Sequence, residues 1–192
     1  MTSLQYVLVS TLLLIMNNET FELFFSMLSV ALLAGTLVVL VARMLHSRSS
    51  AARNVISAFA PWALPLAAAV TTTCALGSLY FSEIVNYKPC IMCWYQRIMM
   101  YPLAIILIVA TLSKDNRVWR YTTPLAVIGI AFSTYHWFLE RFPNLDAGVC
   151  DVEVPCEFVW FENFGFVTLP FMALTGFLAV LVFTTLPNTQ KE

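Results

Sequence analysis

Two pairs of cysteines carry the chemistry available to this chain. Cys90 and Cys93 stand two residues apart in YKPCIMCWYQR, and Cys150 and Cys156 bound the run CDVEVPC. Disulfide exchange runs through a thiolate, which is both the attacking and the leaving species. Pro89 suits the first turn of a helix. A helix N-terminus is electropositive and favours thiolate over thiol. Cys93 and Arg97 are spaced i and i+4, so they share a helix face. Arg97 can then support negative charge on the Cys93 sulfur, or on a group bound beside it.

Arg97 sits inside an otherwise apolar stretch. A charge in the hydrocarbon region marks a site or a pathway; the alternative is that it snorkels to the headgroups. His136, in STYHWFLERFP, is read in two ways. It is a packed or interfacial residue, or it converges with Arg97, from an adjacent antiparallel helix at similar depth, on the carbonyls of a lipid-soluble ligand. Apolar walls with a few fixed donors make such a pocket. The loop pair is either a structural staple or a mobile disulfide that meets a protein partner and reaches the first pair. Zinc would need a further C-x-x-C or a close histidine. The outer loops hold neither, so no metal site is expected. Cys74 is expected to pack as a small buried hydrophobe.

The elements that must position these residues follow from composition. Of 192 residues, 60% are hydrophobic and 11% charged, against roughly 45–50% and about 25% in soluble domains. The mean hydropathy is +0.80. A net charge of −1 with no basic cluster argues against nucleic acid as a partner. The chain reads as an all-α integral membrane protein. A crossing helix needs about 20 apolar residues, and five stretches qualify: 23–42, 62–81, 91–112, 118–139 and 164–186. The segment 4–16 is apolar but short, and is expected at an interface.

Arg43, Arg48, Arg53, Lys114, Arg117, Arg120 and Lys191 fall on one side of a chain that crosses five times. Lysine and arginine gather in cytoplasmic loops. The N-terminus and both cysteine pairs are then expected outside, where disulfides persist, and the C-terminus inside. Residues 1–45 form a segment with one span, 46–60 a polar cytoplasmic linker, and 61–187 an up-down bundle with a long outer loop at 140–163. Short connections place successive helices side by side and antiparallel.

The segment GSLYFSEIVNYKPCIMCWYQRIMMYPL closely resembles the disulfide bond formation protein B (DsbB) family, especially its BdbC-type branch. The order of features agrees: C-x-x-C-x-x-x-R opening a span, a basic turn, a span ending in His136, Leu139 and Pro143, a loop with a second cysteine pair, and FGFVTLP entering the last span. The resemblance covers roughly residues 60–187. It implies a four-helix transmembrane bundle of the DsbB/VKOR type, here with one additional N-terminal transmembrane helix.

The resemblance further implies a thiol:quinone oxidoreductase of the bacterial plasma membrane. Such an enzyme reoxidises a DsbA-like thioredoxin-fold oxidase outside the cytoplasm and passes electrons to ubiquinone or menaquinone. By position, Cys150 corresponds to the cysteine that joins the partner, Cys156 to its mate, Cys90 to the one that bridges to the loop and Cys93 to the one facing the quinone. Arg97 and His136 correspond to quinone-binding positions. The chain departs from many members in its first span, in Gln96 where some carry an acidic residue, and in the closer spacing of the loop pair. Two alternatives are a vitamin K epoxide reductase-like enzyme, whose C-x-x-C follows the loop pair rather than preceding it, and a non-enzymatic assembly factor with two inert disulfides.

Overall fold

The computed structural model describes residues 18–186 apart from 116, 147 and 152. The 4–16 segment and Lys191 therefore lie outside the described residues. Helix α1 spans Asn18–Met44, with Glu19 in its first turn and Arg43 in its last. Those charges complement the helix dipole at both ends. Its buried positions are small or hydroxylic, among them Ser26, Ser29, Thr36 and Ala42, while Met27 and Val38 are exposed. The hydroxyls of Ser29 and Thr36 donate to the carbonyls of Ser26 and Leu32. Their polarity is thus satisfied within the helix.

The stretch 46–60, expected as a linker, contains helix α2, Ser50–Phe59. It is capped by the Ser49 side chain and buries Ala52 and Ile56 one turn apart. Pro61 shapes a single 3-10 turn, Ala60–Trp62, that leads into α3, Ala63–Glu83. Helices α4 (Ile91–Ser113) and α5 (Trp119–Arg141) come next. Helix α6, Leu169–Thr184, completes the bundle. Among the described residues there is no strand, only an isolated bridge between Asn163 and Val167.

Helices α3 to α6 form a closed ring in which each packs on its chain neighbours and α6 returns to α3. Helix α1 lies outside that ring, against α6 and α2. The interfaces are lined by small residues, including Ala67, Ala68, Ala126 and Ala179, while Leu76, Ile105 and Leu112 point away. That distribution suits a bilayer, where close backbone approach rather than apolar burial drives helix association.

Phe177 of α6 packs directly against Gly129 of α5. A Cβ on Gly129 would stand 2.3 Å from the Phe177 ring. Gly129→Ala is therefore expected to destabilise the bundle by about 1–3 kcal/mol, the usual cost of overpacking. A lowered thermal midpoint of the detergent-solubilised protein would register it. An unchanged midpoint would mean that the two helices part easily.

The structure departs from expectation at two helix starts. Pro89 does not enter the first turn of α4, because that helix begins at Ile91 with Cys90 as its N-cap. The last helix starts at Leu169 rather than at 164. Phe164 and Gly165 adopt left-handed backbone, at φ 56° and 74°, which ends any helix running through them. The remaining 16 residues of α6 reach about 24 Å at 1.5 Å per residue, short of a hydrocarbon core of about 30 Å. By length and apolar composition, three helical stretches among the described residues can cross a membrane: Asn18–Met44, the continuous Ser50–Glu83 and Ile91–Ser113. Helix α5 is 23 residues long but carries Arg120, Glu140 and Arg141 at its ends.

Candidate functional site

Cys90 caps α4 through its own sulfur, which accepts a hydrogen bond from the Cys93 amide at 3.3 Å. The two sulfurs are 2.9 Å apart. Cys90 is buried and Cys93 half-buried. His136, one helix away on α5, brings its Nε2 to 3.5 Å from the Cys90 sulfur. The same Nε2 lies 3.2 Å from the Cys156 carbonyl. A carbonyl only accepts, so Nε2 bears the proton. On the far side of the ring, Gln96 donates its amide to Nδ1 at 3.1 Å. One chain of donors thus runs from Gln96 through His136 to Cys90 and the loop. The Cys90 thiol is held well below the ordinary thiol range, first by its bond with Cys93 and then by His136, against the opposite push of burial.

Gln96 was legible in the sequence only as a departure from a family pattern. An amide on the buried face of an apolar helix is itself a signal, because such a group needs a partner. Here it fixes the tautomer of His136. Gln96→Leu frees that ring and removes part of the support for a Cys90 thiolate. The pH profile for alkylation of Cys90 is expected to move up by about one unit, or ~1.4 kcal/mol. A superimposable profile would show that Gln96 does not position the ring.

The second pair is a disulfide, Cys150–Cys156, with Cα atoms 5.7 Å apart. Cys156 is buried and packs in one cluster with Cys90, Met92 and Leu139, while Cys150 sits at its edge. The loop is pinned at several points. Trp160 stacks on Tyr87 with ring centroids 4.4 Å apart, and Tyr87 stacks in turn on Phe81 of α3. Thr168 donates to Glu140 at 2.6 Å. Arg141 reaches Glu162 at 3.2 Å while lying over the Trp137 ring.

Arg97 turns the other way. Its Nε donates to the Ser78 hydroxyl at 2.9 Å and its Nη2 to the Ser78 carbonyl at 3.0 Å, both on α3. The guanidinium also lies 5.4 Å from the Trp94 ring centroid. It is thus held inside the bundle rather than snorkelling. Beside it opens a cavity of about 330 Å³ whose wall includes Cys93, Gln96, Arg97, Tyr101 and Ser78. The rest of the lining is mainly apolar and comes from α1, α3, α4 and α6, with Tyr87, Lys88 and Pro89 ahead of α4 and Trp160 of the cysteine loop.

Arg97 and His136, expected to meet on one ligand, do not line the same cavity in this structure. Successive helical residues are rotated by about 100°, so Arg97 faces α3 and the cavity while Gln96 reaches back to His136. His136 is not in the cavity wall; it serves the sulfurs and the loop. Cys74 is half-buried rather than sealed in, and it too lines the cavity.

A histidine does stand close to the C-x-x-C pair, on the end of α5 rather than in an outer loop. The sulfurs of Cys90 and Cys93 and a ring nitrogen of His136 lie within 4.8 Å of one another. These three donors are one short of a closed structural zinc set.

Known proteins resemble this chain over the same region. The family model "Disulfide bond formation protein DsbB" matches residues 60–186. The chain is 41% identical over 141 residues to disulfide bond formation protein C of Bacillus subtilis, covering 72% of this chain and 97% of that protein. It is 45% identical over 120 residues to a probable disulfide formation protein C of Halalkalibacterium halodurans, covering 62% and 88%. It is 46% identical over 108 residues to a probable disulfide formation protein C 1 of Bacillus cereus, covering 56% and 78%. No solved structure matches it.

Proposed function

The chain belongs to the disulfide bond formation protein DsbB family, a membrane protein with a role in disulfide formation, and from that premise we propose that it is a thiol:quinone oxidoreductase. It takes electrons from a thioredoxin-fold, DsbA-like oxidase outside the cytoplasm and delivers them to a membrane quinone. One observation carries this reading. The Cys90–Cys93 pair stands between two different environments: Cys90 shares a cluster with Cys156 of the loop disulfide, and Cys93 shares a cavity wall with Arg97.

The roles follow from exposure and neighbours. A partner thiolate attacks Cys150, the more accessible sulfur of the loop pair. That bond forms as Cys150–Cys156 breaks, and Cys156 leaves as a thiolate. The partner's second thiol then releases its own disulfide and leaves Cys150 and Cys156 reduced. The loop thiols next reduce an oxidised Cys90–Cys93 pair, with Cys156 attacking Cys90. Two electrons and two protons have then moved from the partner to Cys90 and Cys93. His136 donates through Nε2 toward Cys90 and so lowers the cost of a thiolate there.

The cavity fits a quinone. It is mainly apolar, with Lys88 and a fixed guanidinium near Cys93 and the Tyr101 hydroxyl against Ser78. A bound quinone supplies a two-electron, two-proton acceptor. Arg97, kept in place by two bonds to Ser78, would hold one of its oxygens and stabilise negative charge in a site with little water. The inert-scaffold alternative predicts two disulfides that never turn over.

The test is anaerobic mixing of the purified chain with a reduced thioredoxin-fold oxidase and quinone, following quinone absorbance. Loss of the oxidised-quinone band with recovery of oxidised partner is expected. Arg97→Ala should raise the apparent quinone KM about tenfold or more while leaving the KM for the partner unchanged, the pattern of lost ligand binding. An Arg97→Ala protein with parental quinone KM would mean the acceptor binds elsewhere.

A further inference from the structure

Helix α1 lies outside the family match, which begins at residue 60, yet it reaches the cavity beside Cys93. We propose that α1 is a wall of the acceptor site and that the seam between α1 and α3 holds the apolar tail of the quinone. This rests on the reading of the cavity as a quinone site.

The cavity is long rather than round. Its lining on α3 runs from Leu66 to Ser82, a distance of about 24 Å at 1.5 Å per residue. The polar groups Arg97, Ser78 and Tyr101 occur toward the Cys93 end. Such a shape suits a ligand with a redox ring at one end and an extended hydrocarbon chain. On the α1 side the lining is Phe25, Leu28, Ser29 and Leu32. These four fall at i, i+3, i+4 and i+7, a single helical stripe.

The seam is open where a tail would emerge. Leu28 of α1 and Leu66, Ala69 and Thr73 of α3 all line the cavity and are all exposed. Backbone contact between α1 and α3 is sparse compared with that between α1 and α6. At the Cys90 end the same seam is closed by aromatics: Phe21 stacks on Tyr80 with centroids 4.4 Å apart, and Phe25 meets Phe81 edge-on at 5.7 Å.

Two tethers hold α1 in register with the redox site. Tyr87, three residues before Cys90, donates its hydroxyl to Glu22. Asn163 donates to the Ser26 hydroxyl at 3.0 Å. Helix α1 is thus fastened both to the approach to the C-x-x-C pair and to the end of the cysteine loop. Its position beside the cavity is fixed by polar contacts as well as by packing on α6.

The test uses the full chain in lipid nanodiscs and a photoactivatable quinone with its reactive group on the tail. Labelled peptides are identified by mass spectrometry, and binding of other quinones is read by competition. In the parent chain the label is expected on α1 and α3. Leu28→Trp and Leu32→Trp should weaken a long-tailed competitor about tenfold, equivalent to ~1.4 kcal/mol, and leave a tailless competitor with the same ring unchanged. Leu37→Trp, an exposed residue outside the lining, should behave as the parent. Label confined to α4 and α5, or equal weakening of both competitors, would overturn the role of α1. A parent chain that binds no quinone of either kind would instead overturn the reading of the cavity itself. The labelling of the parent is decisive even where a tryptophan variant does not fold.

Discussion

Cys93→Ser is expected to stop electron delivery to quinone while the protein still folds and the loop disulfide still reacts with its partner. Serine matches the size of cysteine, and position 93 lies one turn into a helix whose N-cap is the Cys90 sulfur. The cap acceptor is therefore retained. What is lost is the sulfur of the pair that borders the cavity. A hydroxyl cannot close a disulfide with Cys90, so no second electron has an exit. The rate of quinone bleaching should fall by at least about three orders of magnitude, or ~4 kcal/mol in barrier. Alkylation of the loop thiols after reduction by the partner should proceed as in the parent. A serine variant that retains even a few per cent of the parental rate would show that Cys93 is not the exit.

The second large effect concerns the loop. In Cys156→Ala, Cys150 keeps its half-buried position at the edge of the cluster but has no neighbour to displace whatever joins it. When this variant is mixed with the oxidised partner, the Cys150 thiolate attacks the partner's disulfide. A mixed disulfide forms and the partner's other sulfur leaves as a thiol. Without Cys156, that adduct can decay only by reversal. It should accumulate to a large fraction of the protein, appear after acid quenching on a non-reducing gel, and vanish with reductant. Peptide mapping should place the bond at Cys150. An adduct found at Cys90 instead would reverse the order of exchange.

The two experiments probe opposite sides of one pair. Cys156 is only 2% exposed and packs with Cys90, which is 6% exposed. Transfer from loop to helix therefore needs a small local movement rather than a long excursion. Loop aromatics stacked on Tyr87 keep the loop near the pair. That arrangement lowers the entropic cost of bringing the two disulfides together.

Local chemistry carries much of the site. A C-x-x-C motif before an apolar helix, a second pair in an acidic loop and an arginine one turn below Cys93 are all readable from neighbouring residues. So are the helices themselves, whose apolar runs state both their existence and their membrane setting. Boundaries are less legible. The last helix is shorter than its apolar run, because Phe164–Val167 is as apolar as the helix that begins at Leu169. Hydrophobicity says nothing about the left-handed turn at Phe164 and Gly165.

Residue type and short-range spacing are enough to specify a helical membrane chain with two redox-capable cysteine pairs, because they encode those properties directly. Where each polar side chain points is a matter of packing. Gln96 and Arg97 are adjacent in the chain, yet one supports His136 and the other is bound to Ser78 beside the cavity. A rotation of about 100° per residue separates them, and only the placement of α3 and α5 on either side of α4 says what each will meet. The same holds for α1. Its residues spell out an apolar helix, but its place as a wall beside Cys93 depends on small residues, on tethers from Tyr87 and Asn163, 65 and 137 residues away in the chain, and on a partner surface on α6.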